Sequence, residues 1–157
     1  ADLVWKGKYN LPLYLDTWDG YPWARQRLYD QCRGLGVQDL IVMTGDSHSF
    51  WANTLRDNEM HSMGVEIGTS GITSPGDFIE QGFDADTASR IDQALIDQAP
   101  DIVWTSNRYQ GYVRLTVSRE DLKADYVAVS TVTESTWDVK TVKSKRITRT
   151  GNTVAFS

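Results

Sequence analysis

The feature that most constrains this chain is a short apolar run, Leu40-Ile41-Val42-Met43-Thr44, that leads directly into Gly45-Asp46-Ser47-His48. Such a run reads as a buried strand, and the glycine behind it marks a tight turn. Ligands in α/β sheets gather at the carboxyl ends of strands, where loops carry polar groups over a rigid layer. A strand end that offers a carboxylate and an imidazole two residues apart therefore points to a metal ligand pair.

The segments around this junction predict an α/β (α+β) fold, with one β-sheet layer and flanking helices in a single domain over residues 1–157. Residues 1–18 are aromatic-rich and irregular, with Pro12 between apolar neighbours. Asp19-Gly20-Tyr21-Pro22 predicts a helix start, Asp19 capping free N–H groups and Pro22 in the first turn. The helix runs over 23–33 with Ala24, Leu28 and Cys32 on one face, and Gly34 and Gly36 end it. Residues 50–55 read as a strand or a short helix, and 64–70 as a strand before the turn-rich Gly71-Ile72-Thr73-Ser74-Pro75-Gly76. A second amphipathic helix spans 87–98, carrying Ala88, Ile91 and Leu95 and stopping at Pro100. Beyond Asp101 the pattern is β, with strands at 102–104, 111–117, 126–132 and 139–150. Ser118-x-x-Asp121 is a helix-start signal that predicts a single turn between strands rather than a hairpin.

Charge and composition exclude several classes. The net charge of −5 lacks the basic stripe of a nucleic-acid-binding surface. The basic residues from Lys140 to Arg149 alternate with Thr, Val, Ser and Ile, as on the solvated face of a strand. Cys32 is the only cysteine, so no intrachain disulfide forms, and on its apolar helix face it reads as a plain buried thiol. No run approaches the roughly 18 apolar residues of a membrane span, and the first residues show no signal peptide.

Asp46 supplies hard oxygen, suited to iron, calcium, manganese or magnesium, and His48 supplies the nitrogen favoured by iron or zinc. In an extended loop, positions i and i+2 face the same mouth. The residues alone leave a plainer alternative open, with Asp46 capping the turn and His48 an ordinary polar loop residue.

Flanking motifs narrow the choice. Asp16-x-Trp18-Asp19-Gly20-Tyr21-Pro22, Arg25-x-Arg27-Leu28, Val42-x-Thr44-Gly45-Asp46-x-His48-Ser49-x-Trp51-Ala52-Asn53, Gly68-Thr69-Ser70-x-Ile72-Thr73-Ser74-Pro75-Gly76 and Arg108-x-x-Gly111-Tyr112 run in order over about residues 16–133. Together they closely resemble the C-terminal part of PhoD-like alkaline phosphatases, within the calcineurin-like metallophosphoesterases. The resemblance implies half of an α-β-β-α sandwich, Asp46 and His48 as metal ligands, and Fe(III) and Ca(II) as cofactors, with Mn, Mg or Zn as substitutes. It further implies hydrolysis of phosphate monoesters or diesters by attack of metal-bound hydroxide, in a periplasmic or extracellular location. The family's other ligands lie in an N-terminal half with no counterpart here, expected as a separate chain or a lost segment. Cys32, on a helix, does not stand in for the family's iron-binding cysteine.

Other residues carry two readings. Trp51 and Asn53 follow the ligand pair closely enough to line the mouth, although a core tryptophan is the default. Arg108 suits a phosphoryl oxygen through its planar fork, or a structural anchor equally well. Asp16 and Asp19 sit where they could orient ligands, with the helix cap favoured for Asp19. His61, in a polar stretch, carries no expected role. The reading from another class is a carbohydrate-binding module without catalysis, in which Trp5, Trp18, Trp23, Trp51, Trp104 and Trp137 with seven tyrosines supply a stacking face. With only two plausible ligands, the isolated chain is expected to hydrolyse p-nitrophenyl phosphate and bis-p-nitrophenyl phosphate negligibly, even with iron and calcium added. Robust turnover by purified 157-residue material would contradict that half-site reading.

Overall fold

The computed structural model describes residues 16–157, with the backbone of Val4–Trp5 (β1) and Leu11–Pro12 (β2), which pair antiparallel. The irregular structure expected over residues 1–18 lies largely outside the described residues, as does the Trp5 side chain. After a short 3-10 turn at Trp18–Gly20 come helix α1 (Pro22–Gly34) and strands β3 (Leu40–Thr44), β4 (Phe50–Arg56) and β5 (Ser62–Gly68). Helices α2 (Asp77–Glu80) and α3 (Ala85–Gln98) precede β6 (Ile102–Ser106), β7 (Gly111–Val117), β8 (Asp121–Val129), β9 (Val139–Thr150) and β10 (Thr153–Phe156).

The α+β class is as expected, but most of the strands divide into two four-stranded sheets rather than one layer, ordered β3-β5-β4-β6 and β10-β9-β8-β7. Alternation along the strands explains the division. Phe50, Ala52, Val65 and Ile67 share one face of the first sheet, and Leu122, Ala124, Tyr126, Ile147 and Val154 answer from the second. Aromatic rings close the seam: Phe50 stacks on Trp104 at 6.3 Å between centroids and meets Tyr126 edge-on at 5.6 Å. The Tyr126 hydroxyl donates to the Trp51 carbonyl at 2.9 Å, tying one sheet to the backbone of the other.

Local chemistry corrects three sequence expectations. Asp19 does not cap α1: the cap position falls on Tyr21, and Asp19, inside the 3-10 turn, pairs with Arg25 at 2.6 Å instead. Ser118 to Asp121 closes a β7–β8 hairpin, because the Ser118 hydroxyl accepts from the Asp121 N–H and donates to the Asp121 carboxylate, locking the reversal. Between the two readings left open for residues 50–55, the structure decides for strand, paired on both sides by β5 and β6. The apolar face predicted for α1 is largely open, with Ala24 and Leu28 exposed and Tyr29 the buried residue.

Strand β3 pairs only with β5, in parallel, and its other edge has no strand partner among the described residues. Its Ile41 and Met43 lie on the core-facing side yet stay exposed, Met43 at 69%. Exposed apolar side chains beside an unpaired edge form a surface suited to a further strand.

On the outer face of the second sheet, Asp125 is buried under three partners: Lys123, Arg114 opposite on β7 and Ser144 opposite on β9. The hydrogen bonds from Lys123 and Ser144 outweigh burial and hold its carboxyl at about 2. A depressed folded-state value means stability that is fully present above the ordinary carboxylate range and lost as pH falls toward 2. Urea unfolding between pH 5 and 2 is therefore expected to show a shallower acid loss in Asp125→Asn than in the parent, after allowing for its lower starting stability; equal slopes would contradict the assignment.

Candidate metal centre

The C-terminal ends of β3, β5 and β6 and the start of β4 lie at one end of the first sheet, because β3 runs parallel to β5 while β4 runs against both β5 and β6. Loops 45–49, 69–76 and 107–110 therefore converge there. Asp46 and His48 both sit in left-handed backbone, at φ 67° and 51°. For residues other than glycine this region is sparsely populated, although Asp and His tolerate it better than most. Each such residue costs about 1–3 kcal/mol and persists only where its surroundings hold it.

The surroundings supply that hold. The Gln110 side chain donates from Nε2 to the His48 carbonyl at 3.0 Å. The Ser49 hydroxyl donates to Asn107 Oδ1, and Asn107 donates to Asp92 from both its backbone N–H (3.1 Å) and its Nδ2 (2.5 Å). Trp51 Nε1 donates to the Ser47 hydroxyl at 2.9 Å. Burial raises the Asp92 carboxyl above its ordinary range, against the opposing pull of the Asn107 hydrogen bonds.

His48 Nδ1 is buried and makes no hydrogen bond among the described residues. Asp77 Oδ1 lies 2.9 Å away, close enough for an ion pair but off the direction in which a ring N–H would donate. The side chain as a whole remains 38% exposed, so the rest of the ring meets the open end of the sheet. Asp46, two residues back in the same loop, is exposed. A histidine whose Nδ1 faces a carboxylate able to orient the ring, whose Nε2 makes no hydrogen bond among the described residues, and which has a second carboxylate two residues back, fits a metal ion bound through imidazole nitrogen and carboxylate oxygen. Two ligands fall short of the four of a zinc site or the six to eight oxygens of a calcium site. Further donors must come from elsewhere.

The other expected residues are placed unevenly. Trp51 is at the mouth, opposite Gly68 at the end of β5, where any side chain at Gly68 would meet the Trp51 Cβ at 2.9 Å. Asn53 lies deeper along β4 and donates to Glu66 at 3.1 Å; Thr44 donates to the same carboxylate at 2.7 Å. Arg108 is exposed and lies over the Tyr109 ring at 5.2 Å, and among the described residues it makes no ion pair. With Asp92, Trp104 and Val142 it lines an open cavity of about 250 Å³ that no residue of loop 45–49 touches.

Asp57, Glu59 and His61 also bring ligand-type atoms within 4.8 Å of one another. They lie at the far end of β4, roughly 20 Å along the strand from His48. Arg33 reaches Asp57 at 2.6 Å and Glu59 at 3.6 Å, and Asp57 Oδ1 accepts from the Glu59 and His61 N–H groups. The cluster closes the β4–β5 turn with its own cation.

Sequence reasoning missed Asp77, Asp92, Asn107 and Gln110. A signal for two of them existed: Asn107 and Gln110 sit in a polar stretch after an apolar strand, the same pattern as Gly45 to Ser49. Asp92 falls four residues after Ala88 in the buried stripe of α3, where an acid is out of place unless it is bonded.

Gly76 packs against this brace. A Cβ there would stand 2.6 Å from Gln110 Nε2, 3.0 Å from the Asn107 carbonyl and 3.4 Å from the His48 carbonyl. Its backbone (φ −72°, ψ 150°) suits any residue, so the obstacle is contact alone. Gly76→Ala is expected to push Gln110 off His48 and cost about 1–3 kcal/mol in urea unfolding; a change below about 0.5 kcal/mol would show that the contact relaxes freely.

Comparison with known proteins identifies the family. The sequence model of PhoD-like phosphatases matches residues 3–126. The chain is 36% identical over 144 residues to alkaline phosphatase D of Bacillus subtilis (strain 168), covering 85% of this chain and 23% of that protein. A solved structure described as the structure of PhoD superposes with a TM-score of 0.75 at 32% identity, over 96% of this chain and 28% of its own. The chain thus spans about a quarter of the length of these relatives. By the extent of the family match and the fold that accompanies it, the chain belongs to the PhoD-like phosphatase family.

Proposed function

We propose that this chain is the part of a metal-dependent phosphatase or phosphodiesterase that contributes Asp46 and His48 to the metal centre. The observation that carries this reading is His48 itself, held in a strained loop at converging strand ends with its Nδ1 2.9 Å from the Asp77 carboxylate and its ring 38% exposed at the open end of the sheet. Bound metal, iron with calcium by family resemblance or manganese, magnesium or zinc by donor chemistry, supplies Lewis-acid charge that activates water and offsets charge on the phosphoryl oxygens.

The chain's own residues prepare that chemistry. Asp46 presents a carboxylate to solvent at the mouth, and His48 presents a ring whose backbone Gln110 fixes. Trp51, held by Ser47, forms a wall beside the pair. The Arg108 guanidinium, without an ion pair among the described residues, is available to a phosphoryl oxygen through its planar fork. Asn53 supports the mouth by holding Glu66.

The remaining ligands belong to sequence outside these 157 residues, and the open edge of β3 is a fitting place for that part to add its strands. The substrates are phosphate monoesters or diesters, met outside the cytoplasm as the family resemblance implies. A carbohydrate-binding module is disfavoured by the family match; of its stacking face, Trp104 is packed in the seam between the sheets and Trp51 is tied at the mouth, while Trp18, Trp23 and Trp137 are exposed.

In the full-length enzyme, His48→Ala and Asp46→Asn are each expected to lower kcat/KM on a diester by about 100-fold or more with little loss of stability. His61→Ala, at the far end of β4, is expected to change kcat/KM little. Parallel counting of bound metal is the check: wild-type activity and metal content in His48→Ala would remove the assignment. A stability loss matching the activity loss in Asp46→Asn would favour a turn-capping role for that residue instead.

A further inference from the structure

The strained backbone at His48 needs a support that does not yield, and the nearest one lies buried beneath the converging loops. Ser49, Asn107 and Asp92 are 1%, 5% and 7% exposed and form one continuous hydrogen-bonded chain from α3 to the residue after His48. The direction of that chain is fixed by chemistry. An ionised carboxylate only accepts, so Asp92 requires the Asn107 amide nitrogen on its side. That leaves the Asn107 carbonyl facing Ser49, which then must donate. Rotating the amide would set its oxygen against the carboxylate, so Asp92 dictates the acceptor that Ser49 meets.

We infer that Asp92 and Asn107 act as positioning residues for His48, α3 setting the orientation of the ring-bearing loop through Ser49. Asp92 lines the cavity beside Arg108, and neither Asp92 nor Asn107 is placed as a ligand of the metal. The Asp92 carboxylate also receives the Asn107 backbone N–H, so the start of loop 107–110 is fixed at the same point, and Gln110 in that loop holds the His48 carbonyl. One buried acid therefore governs both contacts that keep His48 in place. The inference rests on the proposed role of His48 as a metal ligand.

The test uses the full-length enzyme, with calcium binding by calorimetry, kcat and KM on a diester, and thermal unfolding measured on each variant. Asp92→Asn is expected to lower kcat about 10–100-fold and to weaken calcium binding on a similar scale, with KM changed less. Combining Asp92→Asn with Asn107→Asp reverses the side-chain bond between 92 and 107 but keeps an acceptor at 107 for Ser49 and an acceptor at 92 for the 107 backbone N–H, with the charge moved one step along, and is expected to recover most of both losses. Ile147→Val, in the core away from the loop, is the stability control and is expected to alter neither quantity. The inference is overturned if Asp92→Asn changes only thermal stability, or if the paired exchange folds and recovers nothing. Should the paired exchange fail to fold, Asn107→Ala decides: weakened calcium binding beyond that of Ile147→Val supports the relay, and binding equal to it overturns the relay. His48→Ala in parallel separates the two levels. Unchanged calcium binding there removes the metal reading itself, whereas lost binding there with none lost in Asp92→Asn removes only the relay.

Discussion

The constraint on which the site depends is backbone strain in loop 45–49. Two residues with side chains, Asp46 and His48, occupy left-handed conformations within three positions of each other. An isolated peptide would relax such a loop. Here the relaxed states are closed off by the hydrogen bonds to Ser49 and the His48 carbonyl, and by the lack of room around Gly76. Residues remote in sequence hold the loop in this conformation, as a pre-set ligand pair would require.

Those residues can insist only because the two sheets are locked together. Phe50 opens β4 immediately after Ser49 and is wholly buried between Trp104 and Tyr126. Trp104 lies on β6, whose end carries Asn107 and Gln110 into their contacts. The Tyr126 hydroxyl donates to the Trp51 carbonyl, fixing the second sheet to the strand that leaves loop 45–49. Burial at this seam, worth about 1.5–3 kcal/mol per large apolar side chain, thus serves both the fold and the geometry of the mouth. The opposite end of the sheet is held separately, by Arg33 on Asp57 and Arg56 on Asp101.

How much of this the sequence revealed follows from the range of each interaction. Helices α1 and α3, strand β3 and the Gly-Asp-x-His junction are local patterns, and each appeared where expected within a few residues. Asp19 was misread because a cap must directly precede the first helical residue, and Pro22 placed that position at Tyr21. The hairpin at Ser118 to Asp121 was missed because the same Ser-x-x-Asp spacing closes a β-turn and starts a helix. The division into two sheets, and the four-residue β10, depend on pairings that no local pattern encodes. The brace on His48 was least legible: Ser49 meets Asn107 58 positions away, and His48 meets Gln110 62 positions away.

The central claim is that Asp46 and His48 bind metal together, on a loop already shaped for it. Anomalous diffraction from crystals of the full-length enzyme, collected at the iron edge and compared with difference maps for calcium, tests it most directly. The account predicts a metal ion within about 2.0–2.6 Å of a His48 ring nitrogen or an Asp46 carboxylate oxygen, with both residues contributing to one centre and the loop backbone as described here. Metal bound wholly by other residues, with both side chains turned to solvent, would contradict it.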